Sequence, residues 1–547
     1  MSSTGARCCW GGNRHEPGQP CGWRRGRPAA DLLLVSQALR GLGYGRTRPG
    51  RADLAFGLAL AFVIAAAAKS ADDLTLWRIF RSVRLPVPAL PLKRLVLTIE
   101  APRDVIPFRQ AVRAWFGISL QTFGGPAGQI AVMQRTLVEE KRWIGQQRFN
   151  HALNYCMLLP GPEAQQLAIY VGWLLNGTRG GLVAGILFVL PGMLALLALS
   201  AVYVLWQDTG VVTALFAGIA PAVLAIVAQA VIRVAKRSLT HPLFVAVAVA
   251  AFGALALFGV PFPIVIAIAA LVGWTVHKLA PHVLANGNGH GGDGGPAPLI
   301  SDDALHHAQP SWRSAGKILA VGLVAWWLPV AAVALFLGTD SVFTTQGLFF
   351  SGTALVTFGG AYAVLAFVAQ RAVETYAWLS PGEMVRGLAL AESTPGPLIM
   401  VVQFVAFLGA YRDPGALTPW AGALLGALLT TWVTFVPCFL FIFLGAPYVE
   451  KLRHNTAISA ALTGITAAVV GVIANLALYF AEHTLFGRTF TWAQGPFSIQ
   501  LPDLGTLSPV ALGITVAALV MTFVLKWPML RILGVCALLG IGTILLP

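Results

Sequence analysis

Long apolar stretches recur from about residue 110 to the C-terminus, separated by short polar or charged loops. Each stretch holds roughly twenty apolar residues, enough for a helix to cross a hydrocarbon core of ~30 Å. The pattern therefore predicts an all-α polytopic membrane protein with about 13 membrane segments. The predicted segments are 110–133, 151–176, 180–206, 210–232, 241–258, 260–278, 318–337, 345–370, 388–411, 417–446, 456–480, 507–525 and 528–546.

These segments form two copies of one six-segment pattern, joined by one connecting helix. Landmark residues of the first copy recur in the second copy at three sequence offsets, each of which applies to a successive part of the repeat. The matched landmarks are Thr122–Gly125, Trp143 and Pro160–Pro162 at an offset of 235 residues, Pro191 and Gly218 at 246, and Pro242 and Pro261 at 267. Several landmarks that keep one register indicate an internal repeat.

The repeat divides the chain into five parts. They are a variable N-terminal extension at 1–104, the first repeat at 105–280, a cytoplasmic linker at 281–316, a connecting helix at 317–340 and the second repeat at 341–547. The extension is rich in Arg, Gly and Pro. A disordered leader and an artefact of the chosen start site both explain it.

The second copy is predicted to be inverted relative to the first. Six segments plus the connecting helix make an odd number between equivalent points, which reverses the direction of each matched segment. The loop after the fourth segment of the first copy holds Arg233, Lys236 and Arg237, whereas its counterpart at 481–506 holds only Arg488. Since basic loops face the cytoplasm, this swap predicts opposite topology, a common plan of secondary transporters.

The loop after the first segment does not fit this simple scheme. Arg135 and Arg148 follow a segment that Arg109 precedes, so both ends of that segment resemble cytoplasmic ends. A re-entrant hairpin at Gly124–Pro126 would remove the conflict, and the Pro160–Pro162 segment would then have to be re-entrant too. The sequence leaves open whether these segments span the membrane or re-enter.

Composition agrees with the membrane prediction and narrows the function. Hydrophobic residues make up 57% of the 547 residues and charged residues 11%, whereas soluble proteins carry about 25% charged residues. The net charge is +15, but no long basic stripe or RNA-binding motif occurs, so nucleic acid is not an expected partner. The cysteines lack metal-ligand spacing and no P-loop is present, so we expect buried thiols, no metal, no cofactor and no direct use of ATP.

Two Gly/Pro motifs interrupt apolar segments in both copies: the FGG motif at 123–125 and 358–360, and the PGP motif at 160–162 and 395–397. Broken helices at membrane depth need a cavity or protein around their free backbone groups, and their N-terminal ends favour anions. The alternative is that these Gly and Pro residues only allow close helix packing or kinks, with no role in substrate binding. The candidate substrate-binding residues are Phe123, Gly124, Gly125, Pro126, Gly128, Gln129, Pro160, Gly161, Pro162, Gln165, Gln166, Phe358, Gly359, Gly360, Pro395, Gly396 and Pro397.

Charged residues near the motifs are candidates for coupling and for attracting the anion. Glu163 and Glu392 lie in or beside the PGP motifs. A charged carboxylate inside the membrane is energetically costly, so each of the two is a candidate functional group. Each either carries a coupling proton or satisfies backbone amides. Arg135 and Arg148 are the nearest basic residues, and each either attracts the anion or anchors the topology.

Several of these stretches resemble the chromate ion transporter (CHR) family. The resemblance rests on Phe123–Ala131, Glu140–Ile144, Leu159–Leu167, Thr357–Tyr362 and Ser393–Pro397, and it covers about 105–547. It implies the long, two-domain form of that family, which acts in chromate efflux and resistance. It also implies a secondary transporter of an oxyanion shaped like sulfate.

The sequence therefore predicts a multi-pass transporter of the cell inner (plasma) membrane that exports chromate, with protons as a candidate coupling ion. Transport of sulfate or a related dianion is the alternative, and a membrane enzyme or scaffold is the alternative outside this class. No catalytic set is recognised, so we expect no enzyme activity. The expected partners are a small anion and the lipid bilayer, and a homodimer is left open.

Overall fold

The computed structural model describes residues 105–123, 125–280, 298–300, 311–358, 361–448, 456–494 and 497–543. The predicted extension 1–104 and most of the linker lie outside the described residues. So do Gly124, Gly359 and Gly360 of the motifs, and the basic residues Lys451 and Arg453. The described residues fall within one compact unit, 51–547.

Helices of the first copy follow the predicted segments, and the two motifs divide segments as expected. The helices are α1 (Phe108–Ser119), α2 (Gly125–Gln134), α3 (Gln146–Cys156), α4 (Glu163–Trp206), α5 (Gly210–Ser238), α6 (Pro242–Ala256) and α7 (Phe262–Leu279). A π-helical turn, Arg135–Glu140, continues α2. The predicted break at each motif is confirmed, because α2 begins within the FGG motif and α4 begins directly after the PGP motif.

The connecting helix and the second copy follow the same order. They comprise α8 (Trp312–Leu337), α9 (Val342–Val356), α10 (Ala361–Gln370), α11 (Pro381–Ser393), α12 (Val401–Arg412), α13 (Pro419–Gly445), α14 (Thr456–Leu485), α15 (Pro509–Leu519) and α16 (Met529–Gly542). A 3-10 turn, Leu398–Met400, precedes α12. The connecting helix α8 begins at Trp312, before the boundary predicted at residue 317.

A β-hairpin between α14 and α15 is the one feature of the described residues that the all-α prediction did not include. Strands β1 (Thr489–Gln494) and β2 (Phe497–Pro502) pair antiparallel, with Thr489 opposite Pro502. Helical periodicity dominates the rest of the chain, but β1 reads Thr-Phe-Thr-Trp, which alternates polar and aromatic residues. Such alternation of β-branched and aromatic residues favours a strand.

Helix α4 folds back on itself and so contains two predicted segments. Asn176 and Gly177 leave helical geometry, and Gly177 adopts a φ of +59°, which glycine tolerates best. Across this turn Gly185 packs against Ile169, so the two arms are antiparallel. The counterpart in the second copy is the pair α12 and α13, with the loop 413–418 in place of the tight turn.

Six of the described helices are long and apolar enough to cross a membrane. These six regions are 163–206, 210–238, 262–279, 312–337, 419–448 and 456–485. Shorter apolar helices, including α6, α9, α15 and α16, accompany them. The chain is therefore a multi-pass membrane protein, built almost entirely from helices.

Unusual backbone conformations recur in the registers read from the sequence. Left-handed residues pair as Arg142 and Ala377 (φ 52° and 49°), Gly161 and Gly396 (121° and 107°), and Gly259 and Lys526 (59° and 52°). The first two pairs keep the offset of 235 residues, and the last pair keeps the offset of 267. The structure thus supports even the third register, which fewer residues define in the sequence.

Contacts between the copies are reciprocal. The N–H of Gly161 donates to the carbonyl of Thr357 at 2.8 Å, and the N–H of Gly396 donates to the carbonyl of Thr122 at 2.9 Å. Each bond becomes the other when the two copies are exchanged by 235 residues. Reciprocity of this kind is what a twofold operation produces at an interface.

The long helices show the same reciprocity through glycines. Gly218 of α5 packs against the backbone of α16 near Gly540, and Gly464 of α14 packs against the backbone of α7 near Gly273. A Cβ atom on any of these glycines would overlap the backbone of the facing helix. Small residues that allow such close approach are typical of helix packing in membranes.

Candidate substrate site

The FGG and PGP motif regions of both copies converge on one small cavity, here called the central cavity. It is lined by Pro126, Gln129, Pro162, Glu163, Ala164, Ala361, Pro397, Leu398 and Ile399. Eight of these nine residues form four pairs that differ by 235 positions, such as Pro162 with Pro397 and Glu163 with Leu398. Equivalent residues of both copies therefore line the central cavity.

Four helix N-termini meet at the central cavity. The lining residues Pro126, Glu163, Ala361 and Leu398 each belong to the first residues of a helix or of the 3-10 turn that leads into α12. The N-terminal end of a helix carries a partial positive charge and unpaired N–H groups. Several such ends around one point provide a potential that attracts an anion.

The central cavity is almost closed in this conformation. Its volume is about 10 Å³, close to the ~10–15 Å³ that a single water molecule needs. A tetrahedral oxyanion, with four oxygens around its central atom, does not fit. The helices around the motifs must therefore move apart before such an ion can enter.

The first FGG region shows why glycine is needed there. Gly125 has a φ of +70°, a conformation that other residues rarely adopt. A Cβ atom on Gly128 would overlap the carbonyl oxygen of Phe123, so the chain can turn this tightly only with glycine. The side-chain amide of Gln129 donates to the carbonyl of Gly396 at 2.5 Å, which ties α2 to the PGP motif of the other copy.

The first PGP motif is held by Gln166 and by the second copy. Gln166 donates to the carbonyl of Pro160 at 2.7 Å, so this predicted anion donor serves the motif backbone in this conformation. Gln165 is fully buried, and neither of its amide atoms has a hydrogen-bond partner among the described residues. Of the three predicted glutamines, Gln165 is thus the one whose amide oxygen and amide nitrogen both lack a hydrogen-bond partner among the described residues.

The glycines of the two PGP motifs make equivalent contacts with the long helices α4 and α13. The carbonyl of Pro395 and the backbone of Gly396 lie against Gly192 of α4, and Gly161 lies against Cys438, the residue of α13 that matches Gly192. Phe358 is the first residue of the second FGG motif and Pro397 the last residue of the second PGP motif, and Pro397 lines the central cavity. The predicted residues Gly124, Gly359 and Gly360 lie outside the described residues.

The two candidate coupling acids occupy different, non-equivalent places. Glu163 lines the central cavity at the start of α4. Glu392 is buried near the end of α11 and accepts a hydrogen bond from the hydroxyl of Tyr362 at 2.5 Å through Oε1. Its second oxygen, Oε2, has no hydrogen-bond partner among the described residues.

The predicted basic residues do not line the central cavity. Arg135 is exposed, donates to Gln121 at 3.0 Å and pairs with Glu140 at 3.3 Å. Arg148 lies in the first turn of α3, and neither arginine is among the described residues that line this cavity.

Sequence reasoning missed a second, larger cavity, here called the outer cavity. Its volume is about 230 Å³ and it is lined by Ile226, Gln229, Ala230, Arg233, Tyr362, Trp527, Pro528 and Met529. Arg233 was interpreted only as a marker of orientation. The signal was present, because Gln229 and Arg233 are spaced four residues apart and so share one face of an otherwise apolar helix.

The described residues contain no group of three or more His, Cys, Asp or Glu side chains that could hold a metal ion. Cys156, Cys438 and Cys536 are free and buried, as predicted. The candidate groups for binding an anion or a proton are therefore the polar groups around the two cavities: helix ends, amides, two carboxyl groups and one guanidinium.

Comparison with known proteins identifies the family. The model of the family described as "Chromate transporter" matches residues 109–274 and 344–541. A chromate transport protein of Pseudomonas aeruginosa is 32% identical over 402 residues, which cover 72% of this chain and 86% of that protein. A chromate transport protein of Cupriavidus metallidurans is 29% identical over 377 residues, covering 69% of this chain and 83% of that protein. No solved structure matches. The chain therefore belongs to the chromate transporter family.

Proposed function

We propose that this chain is a secondary transporter that exports chromate from the cell through the central cavity. Family membership and the names of the two relatives support chromate as the substrate. Sulfate, a dianion of the same tetrahedral shape, is the second candidate. The proposal places the chain in the inner (plasma) membrane, where an exporter meets the cytoplasm, and a homodimer remains compatible with it.

The convergence of four helix N-termini from both copies carries this proposal. A transporter that exposes one site alternately to two sides needs equivalent elements from both copies around that site. The central cavity has such elements in its lining, since the residues at 126, 162, 163 and 164 are matched by those at 361, 397, 398 and 399. Because these helix ends favour negative charge, an anion is the substrate class that fits.

Inverted topology of the two copies is part of the proposal. Helix α5 packs antiparallel to α16, since Ala214 and Gly218 face Gly540 and Cys536 in that order. Consecutive spans alternate in direction, so α5 and α7 are parallel and α16 runs opposite to α7, its own equivalent. A twofold axis in the membrane plane has this effect, and the distribution of basic loops supports the same arrangement.

Proton coupling through Glu163 or Glu392 is the finer part of the proposal. A dianion in the central cavity would approach the carboxyl group of Glu163. Two like charges repel strongly where water is scarce, so a neutral, protonated acid would favour anion entry. Because the proton and the anion would then bind together, release of both on the same side would link the two movements.

Everted membrane vesicles containing the full chain test the proposal, because an exporter takes up its substrate in this orientation. We expect saturable chromate uptake that competing sulfate reduces and that an imposed pH gradient changes. Vesicles without the protein provide the background. Uptake of neither anion above this background would refute transport of this substrate class.

A substitution in the lining of the central cavity tests the location of the path. Ala361→Val adds two methyl groups to a cavity with room for only about one water molecule, and we expect it to lower the maximal uptake rate strongly. Ala366→Val is the matched control, because it makes the same change on the same helix at a half-buried position. Equal rates for both variants and the unaltered protein would place the path elsewhere.

A further inference from the structure

The outer cavity combines space with a positive charge. Its volume of about 230 Å³ is more than twenty times that of the central cavity. The guanidinium of Arg233 lies in its lining and donates to the side-chain oxygen of Gln229 at 2.9 Å. A guanidinium offers a planar set of N–H donors that matches the oxygen atoms of an oxyanion.

The outer cavity lies next to residues of the motif region. Tyr362 lines the outer cavity, whereas its neighbour Ala361 lines the central cavity. The hydroxyl of Tyr362 donates to Glu392, and a Cβ atom on Gly125 would lie 3.7 Å from that hydroxyl oxygen. Tyr362 therefore stands between the two cavities, beside the FGG motif of the other copy.

The pseudo-equivalent region of the molecule has a different lining. Under the registers of the repeat, Leu476 replaces Ala230 and Phe262 replaces Met529, and both are larger, whereas Ala127 for Tyr362 and Asn475 for Gln229 are smaller. Phe262 and Leu476 are both 1% exposed and belong to the hydrophobic core, so this part of the region is packed. The uncharged Tyr479 takes the position of Arg233, so the two regions differ in charge as well as in packing.

We propose that the outer cavity is an entry site in which Arg233 binds a tetrahedral dianion before Tyr362 admits it to the central cavity. This inference rests on the proposed function and names where the anion is first captured. Arg233, Lys236 and Arg237 lie near the C-terminal end of α5, where the structure extends the helix through residues predicted as a loop, and this basic end is predicted to face the cytoplasm. An exporter must collect its substrate on that side. The asymmetry of the two regions gives the transporter a capture site on one face.

Two variants with opposite chemistry test this site. Arg233→Gln removes the charge but keeps a polar side chain, and we expect the KM for chromate uptake to rise about tenfold or more with little change in maximal rate. Ala230→Leu keeps the charge but introduces the residue found at the pseudo-equivalent position, and we expect the same rise in KM because the cavity is filled. Arg233→Lys should restore part of the affinity.

Lys236→Gln is the matched control, since it removes the same charge from the same helix outside the lining of the outer cavity. Binding of labelled sulfate or chromate to the purified full chain in lipid nanodiscs provides a readout that does not depend on transport. Wild-type affinity in both Arg233→Gln and Ala230→Leu would overturn the entry site while leaving the proposed function intact. A protein that binds the anion at Arg233 but shows no uptake would instead overturn the proposed function.

Discussion

The unpaired side chain of Gln165 provides a sharp test of the anion path. Gln165 is fully buried, and neither amide atom has a hydrogen-bond partner among the described residues. It follows Ala164, which lines the central cavity, in the first turn of α4. A buried polar group without a partner is destabilising, so its presence here suggests that the substrate supplies the missing partner.

The variant Gln165→Met separates stability from function. Methionine has nearly the same shape but no amide, so the substitution removes the cost of burying an unpaired polar group, which is about 1–3 kcal/mol. We expect the free energy of unfolding in detergent to rise or stay equal. A hydrogen bond to a charged group contributes about 1.5–3 kcal/mol, so we expect anion affinity to fall about tenfold to a hundredfold.

Gln346→Met is the matched control in the second copy. Gln346 is equally buried but donates to the carbonyl of Ala406 at 3.1 Å, so its loss should destabilise the protein without a specific effect on anion affinity. Thermal unfolding in detergent and sulfate competition against chromate uptake measure the two quantities. The reasoning fails if Gln165→Met lowers stability and leaves anion affinity unchanged.

Three further predictions concern topology, the N-terminal extension and coupling. The loop at Asp208 carries no basic residue, whereas its counterpart in the second copy holds Lys451 and Arg453. Cysteines introduced at Asp208 and Lys451 should therefore be labelled from opposite faces of the membrane, and labelling from one face would contradict the inverted topology. A chain shortened to begin at residue 101 should confer the same chromate tolerance, because it keeps the hydrogen bond from the N–H of Val105 to Leu175; lost tolerance at normal membrane abundance would give the extension a role. Glu392→Gln keeps an oxygen that can accept from Tyr362 but cannot release a proton, so uptake should no longer respond to an imposed pH gradient, and an unchanged response would exclude Glu392 as the coupling group.

The repeat and its helix breaks were predictable from the sequence because Gly and Pro act locally. Gly161 and Gly396 both adopt a positive φ, which glycine tolerates, and the Pro-Gly-Pro order alone indicates that a helix cannot continue. The same local chemistry fixed the start of α4 at Glu163.

Contacts between the copies could not be predicted in the same way. The bond from Gly161 to Thr357 joins residues far apart in the chain, and no local preference encodes it. The interpretation of Gln129 and Gln166 as anion donors therefore overlooked the backbone carbonyls that they hold in this conformation. Arg233 was overlooked because the same basic residue that orients a helix in the bilayer can also line a cavity once α5 meets the chain near Trp527.

The two copies are most informative where they differ. Their backbones repeat closely, and under the proposed function that symmetry would let one cavity open to either side. The side chains differ where the copies meet, since Glu163 is matched by Leu398 and Gln129 by Val364. Under the same proposal, the helix ends, which these exchanges leave unchanged, would attract the anion. Unmatched groups such as Glu163 are then the candidates for coupling, because only one copy supplies them.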